Sequence, residues 1–354
     1  MKIVALALLC VPVAVGGTLL IDVSQRAAQP ERESTITTQP DGFRQVSRPG
    51  SVDLDTTYNL DNLAIPRTQI HTLLPRDAIP ALTDPTLVTI KESGWIAPTD
   101  RIVAVTVGET TVGVPINILN YHEVANLTIE GHPIAATYCP LCDSATVVSR
   151  RVSRTLDDGS TVEDVLEFGV SGALYNSNVL MYDRTDLALW SQLGMQAVSG
   201  PLAGTSLDHL PVRLVSWAAF QSVHPDAMVL SRETGHERDY TGSPYSSFFE
   251  SDRMLVPVAS IGDALPPKTL GLGVNTRGRA YFVAADAITE GFTLKTDAGL
   301  VRARRTDAGI EVLEAPEHTL TAQAFYYSWS AFYPDTEVIG PPEATTITPV
   351  EPED

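Results

Sequence analysis

Alternation dominates the apolar pattern of this chain. Runs such as IVAVTV at 102–107 and AGLVRAR at 298–304 follow the two-residue period of a strand with one buried face. Proline and glycine, 25 and 24 residues, punctuate these runs, so many short strands joined by turns are expected. Two stretches break the period. Residues 115–125 and 214–224 read as helices, the second opening near Ser216 and ending at His224 before Pro225. The pattern predicts a β-rich α+β fold of hairpins and meanders with short helices.

An internal repeat organises the pattern. IVAVTV at 102–107 aligns with TLGLGV at 269–274, bringing Pro115 onto Phe282, Ile116 onto Val283 and Glu123 onto Glu290. SWAAFQSVHPDAMVL at 216–230 aligns without gaps with FYYSWSAFYPDTEVI at 325–339. The expectation is a duplicated globular domain over 53–340, with a first copy over about 101–232 and a second over about 269–340. Features shared by both copies, such as the Pro-Asp turn that ends each helix, read as scaffold. Features of the first copy alone are the better functional candidates.

The ends differ in composition. Residues 3–21, IVALALLCVPVAVGGTLLI, are apolar after Lys2 and long enough to span a bilayer or to serve as a secretory signal. Residues 1–22 are therefore read as a signal peptide or N-terminal membrane anchor, with Cys10 inside it. Residues 23–52 read as a flexible linker, and 341–354 as a disordered acidic tail. This predicts an extracytoplasmic protein, anchored at the membrane or secreted.

Charge narrows the partners. The chain has 43 acidic and 24 basic residues, a net charge of −19, which repels nucleic acid and anionic lipid. Such acidity also suits high ionic strength, where screening weakens self-repulsion.

The candidate chemistry centres on Y-C-P-L-C-D-S at 138–144. Cys139 and Cys142 fall in a tight loop between two predicted strands. The second copy turns through Thr306-Asp307-Ala308-Gly309 at that place, so the hairpin does not need cysteines to form. His122 is likewise confined to the first copy, with Thr289 in the second. An insertion at about 165–205 is specific to the first copy as well. It supplies Tyr175, Asn176, Ser177, Trp190 and Gln192 as a possible substrate-pocket lining, and otherwise reads as a half-buried β-meander.

Three readings of the cysteines stand. Two thiolates three residues apart on a hairpin can grip one metal ion, with His122 as a third ligand; such a Cys2His set suits copper or zinc. Glu123 or Asp183 would then carry protons if a metal-bound water reacts. Alternatively the pair is a thiol–disulfide redox couple, although the segment after it reads as a strand and not the helix that activates such thiols. The third reading is a structural disulfide, whose very short loop would stabilise little. No Walker loop, dinucleotide fingerprint, zincin motif or nucleophile elbow is present. Whether the chain is an enzyme is left open by these residues.

Several motifs together resemble a known family. Y-C-P-L-C, G-V-S-G-A-L-Y-N-S at 169–177, M-Y-D-R at 181–184, L-W-S-Q at 189–192 and G-P-L-A-G at 200–204 are similar to the bacterial and archaeal family called domain of unknown function 3179. The resemblance runs from about Ile79 to Ile339. Two departures stand out: the family's loop ends C-G-S where this chain has Cys142-Asp143-Ser144, and its Trp before the His-Glu pair is Tyr121 here.

Overall fold

The computed structural model describes residues 52–340 apart from 157 and 277. The expected leader or anchor at 1–22, nearly all of the linker at 23–52 and the tail at 341–354 lie outside the described residues. The described part is β-rich, with α-helices of four to seven residues and 3-10 turns of three among the strands. No helix among the described residues is long and apolar enough to cross a membrane.

Two segments follow one strand plan. In the first, the hairpin Arg101–Val107 and Thr110–Pro115 is flanked by Arg213–Ser216, antiparallel to the first strand, and Met228–Leu230, parallel to the second. In the second, the hairpin Leu270–Thr276 and Arg279–Ala284 is flanked in the same way by Thr319–Phe325 and Glu337–Ile339. A seven-residue helix joins the flanking strands in each, Trp217–Val223 and Tyr326–Phe332. Each hairpin is followed by a three-stranded antiparallel meander. The first meander is Val124–Ile129, His132–Cys139 and Ser144–Ser149; the second is Phe292–Lys295, Leu300–Arg305 and Ile310–Glu314.

The meanders reach across to the other segment. Ile310–Glu314 of the second pairs with Arg213–Ser216 of the first. Ser144–Ser149 of the first packs beside Thr319–Phe325 of the second, and Phe325 N donates to Cys142 O at 2.8 Å. The Cys139–Cys142 loop therefore lies where the two segments meet.

Sequence periodicity gives the strands but not all their faces. Leu300–Arg305 alternates as expected, with Val301 and Ala303 buried. Arg101–Val107 is buried along most of its length, because helices cover both faces. Val103 and Val105 pack with the helix Ile116–His122, and Ile102 and Ala104 pack with Trp217 and Phe220. Gly113 leaves room for Phe220, and Gly273 leaves room for Trp329: a Cβ on either would meet those rings at 2.9 and 2.2 Å. The expected helix at 214–224 begins only at Trp217, capped by the Ser216 hydroxyl, because 213–216 pairs as a strand.

The alignment of helix Trp217–Val223 with Tyr326–Phe332 matches element for element. The alignment around Glu123 slips. The first helix ends at Glu123 with φ 56°, just before Val124, while the second segment has Gly291 with φ 79° just before Phe292. Glu123 therefore stands opposite Gly291, and Glu290 is exposed. Glu123 belongs to the first segment alone.

Candidate functional site: a buried dithiol loop

The strands flanking the cysteines pair as far as Cys139 and Ser144, leaving a four-residue loop. Cys142 N donates to Cys139 O at 3.2 Å and Asp143 N to Pro140 O at 3.3 Å. Asp143 closes the loop at φ 48°, a left-handed conformation that Asp tolerates better than most residues. Both cysteines are free and buried, at 1% and 0% exposure, with their sulfurs 3.6 Å apart. A disulfide bond would need about 2.05 Å.

A second turn delivers an oxygen to the pair. Strands Phe168–Tyr175 and Asn178–Asp183 are joined by Asn176 and Ser177, both at positive φ (48° and 62°), the backbone of a tight two-residue hairpin turn. This turn sets the Ser177 carbonyl oxygen 3.8 Å from Cys139 Sγ and 3.2 Å from Cys142 Sγ. As thiols, both sulfurs have that carbonyl as an acceptor, and Cys142 Sγ also lies 3.1 Å from Ser328 Oγ. The circle through the two sulfurs and the oxygen, from separations of 3.6, 3.8 and 3.2 Å, has a radius of about 2.1 Å. Metal–sulfur and metal–oxygen bonds run at about 2.0–2.3 Å.

Electrostatics favours protons on Cys139 and Glu123. Burial pushes the Cys139 thiol well above its ordinary range, and neighbouring Cys142 adds to that; backbone amides of Val179 and Cys142 pull the other way. Burial likewise holds the Glu123 carboxyl well above the usual carboxylate range, with Cys139 as the next cause. The Tyr245 hydroxyl lies 3.5 Å from Glu123 Oε1. None of the groups acting on Cys139 or Glu123 is a lysine or arginine.

His122, the expected third ligand, is committed elsewhere. Its Nδ1 lies 2.7 Å from Pro80 O and its Nε2 lies 2.6 Å from Tyr240 Oη. Burial lowers its pKa to about 4, with His236 and Arg238 contributing. The helix ends at this point and Glu123 turns left-handed, so the two consecutive side chains enter different surroundings. Among the described residues no three His, Cys, Asp or Glu side chains form a metal-binding group. The oxygen beside the sulfurs belongs to a backbone carbonyl, for which side-chain spacing carries no signal.

The insertion is the β-meander that its pattern allowed, and it packs over the loop. Gln192 accepts from Ser144 Oγ at 3.0 Å and Asn178 Nδ2 at 2.7 Å, and donates to Thr137 Oγ1 at 3.1 Å. Asn176 donates to Ala331 O and accepts from Ala259 N, each at 3.0 Å. Tyr175 meets the Phe332 ring edge-on, and Trp190 meets Phe168 in the same way. Asp183 accepts from Trp190 Nε1 at 2.8 Å and Asp186 N at 2.6 Å, a fastening role within the meander. A cavity of about 750 Å³ elsewhere is lined by residues that include Met195, His209, His318 and Tyr333. The five expected pocket residues are not part of its wall.

Asp143 ties the loop to both segments. Its carboxylate accepts from Arg101 Nη1 at 2.7 Å, Tyr138 Oη at 2.8 Å and Gln323 Nε2 at 3.1 Å. Arg101 Nε donates onward to Ala308 O at 2.8 Å, in the second segment's equivalent turn. Burial works against the Arg101 charge, but Asp143 and Tyr138 together more than offset it and hold the guanidinium protonated. Asp143 thus supplies an anchor that glycine at this position would lack.

Neither a curated protein nor a solved structure matches the chain. The family model described as "Protein of unknown function (DUF3179)" matches residues 76–315, spanning the hairpin, the dithiol loop, the insertion and most of the second segment. The chain belongs to the DUF3179 family.

Proposed function

We propose that this is an exported, membrane-tethered metal-binding protein in which Cys139 and Cys142 chelate copper or zinc. The Ser177 carbonyl would take the third place that His122 was expected to fill. The observation that carries this reading is the triangle of two sulfurs and one oxygen, whose radius of about 2.1 Å suits metal–ligand bonds. Soft thiolates select copper(I) or zinc over harder ions. Three donors leave a fourth position open, and Glu123, whose carboxyl the same thiol influences, would hold a proton near it. Loading must displace thiol protons, so affinity rises with pH. Export and tethering rest on the apolar 3–21 segment alone. The shared strand plan further supports descent of the two segments from one duplicated unit.

Thiol–disulfide exchange is the second reading, favoured by free sulfurs 3.6 Å apart. Their burial works against it, since exchange needs an accessible thiolate. The deciding experiment is elemental mass spectrometry on the full chain, purified without chelator or affinity metal, with thiols titrated on the same sample. About one copper or zinc per chain, lost in Cys139→Ser, is expected. Absence of metal with no titratable thiol in the Cys139–Cys142 pair would overturn the proposal in favour of a disulfide.

A further inference from the structure

Both cysteines are sealed from solvent, so whatever reacts with them needs a way in. Two parts of the chain cover the loop. One is the insertion meander, whose strands Phe168–Tyr175, Asn178–Asp183 and Leu189–Ser191 are fixed by pairing with one another. The other is the connection between the two segments. Residues 231–269 form no strand and hold one helix of four residues, Ser246–Phe249. A stretch that long without secondary structure is uncommon inside a compact domain and usually serves binding, closure or linkage.

This second cover is held down at few points. Within 240–262 only Tyr240, Tyr245, Phe248 and Val256 are buried. The last three belong to the hydrophobic cluster that contains Cys139 and Cys142. Ala259 N donates to Asn176 Oδ1 at 3.0 Å, and Gly262 N donates to Ser330 Oγ at 3.2 Å. Asn176 precedes Ser177, and Ser330 follows Ser328 by two residues; oxygens of Ser177 and Ser328 face the sulfurs. The stretch therefore lies on the turn and the helix that enclose the dithiol, without a ladder to fix it. One cation fastens it. Lys268 Nζ, just ahead of strand Leu270–Thr276, donates to Phe248 O at 2.6 Å and Ser251 O at 2.5 Å, and lies 3.5 Å from the centre of the Phe248 ring. Charge-assisted bonds of this kind are stronger than neutral ones, and these hold Phe248 in the cluster. We propose that residues 240–262 are a strap that gates the dithiol by local opening, with Lys268 as its latch. Segments with few buried contacts open at lower cost than the whole fold. A metal ion and a partner thiol both need such an entry, so the strap serves either reading of the pair and depends on neither.

Iodoacetamide labelling of the metal-free full chain, reduced beforehand with a phosphine, tests the gate without requiring metal binding. The rate is followed by mass spectrometry on the peptide that holds Cys139 and Cys142, which separates it from Cys10, and is repeated at rising sub-denaturing urea. The urea slope reports how much surface the reactive opening exposes. Labelling in water should be slower than in the urea-unfolded chain, with a urea slope less than about half that of global unfolding. Lys268→Met should label at least about 5-fold faster with the same shallow slope. A slope equal to that of global unfolding would overturn the strap, because the thiols would then be reached only when the whole fold opens. Labelling in water as fast as in the unfolded chain would overturn it too, and an unchanged rate in Lys268→Met would overturn the latch.

Discussion

Two turns occupy equivalent places in the two segments and differ in what covers them. The loop 306–309 joins Leu300–Arg305 to Ile310–Glu314, with Asp307 exposed and Gly309 at positive φ. The loop 140–143 joins its strands with the same number of residues and places Asp143 at positive φ. One is an ordinary polar turn and the other lies in the core with Phe168, Trp190, Tyr245 and Tyr327. The hairpin itself therefore makes no demand for sulfur. Burial beneath the insertion meander, whose turn delivers the Ser177 carbonyl, separates the cysteine loop from its counterpart. Glu123 repeats the lesson: a buried carboxyl takes a left-handed position that glycine fills in the second segment. Non-glycine residues held in that region mark places where surrounding structure over-determines the backbone.

The largest expected effect comes from making the first loop resemble the second. Cys139→Ser with Cys142→Ser should abolish copper and zinc binding while leaving the β-rich circular dichroism spectrum in place. Global unfolding of that variant would assign the cysteines to structure. Asp143→Gly should ease the left-handed backbone at φ 48° but strip Arg101 of its carboxylate. The expected net loss is about 2–3 kcal/mol in urea unfolding, because the guanidinium is only partly exposed. No loss would mean that Arg101 finds another partner.

Acid behaviour gives two signals of opposite sign. His122 has a folded pKa near 4 against an ordinary 6.5, so the unfolded chain binds the proton first as pH falls. Its neutral form contributes up to about 3 kcal/mol above pH 6.5, lost progressively as pH drops towards 4. In His122→Gln that acid limb should flatten. Glu123 has a raised pKa, so the fold binds its proton more tightly than the unfolded chain does. Stability from that proton is present at low pH and declines as pH rises above 4.5. Glu123→Gln should remove this decline in apo-protein; an unchanged pH profile would place its carboxyl in contact with water.

Much of the fold was legible because alternation and turn residues act locally. Val301 and Ala303 face inward as the period says, and the helix after Ser216 is capped as its hydroxyl predicts. Arg101–Val107 hid its second buried face, because that depends on two helices arriving from elsewhere. The cysteine pair was legible from spacing and from its absence in the second segment. Its surroundings were not. His122 is adjacent to Glu123 in sequence, yet a left-handed residue sends them to different neighbours. The Ser177 oxygen is main chain and leaves no trace in residue type. Tyr175, Asn176, Trp190 and Gln192 carry polar atoms that suggest a pocket, but the hydrogen bonds of Asn176 and Gln192 and the ring contacts of Tyr175 and Trp190 close on neighbours instead.

The most direct test is X-ray absorption at the metal edge of full-length protein loaded with one equivalent of copper(I) or zinc. The account predicts two sulfur donors at about 2.3 Å, at least one oxygen, and no imidazole scattering. A single sulfur, or an imidazole in the first shell, would contradict the pairing of Cys139 and Cys142 with the Ser177 carbonyl.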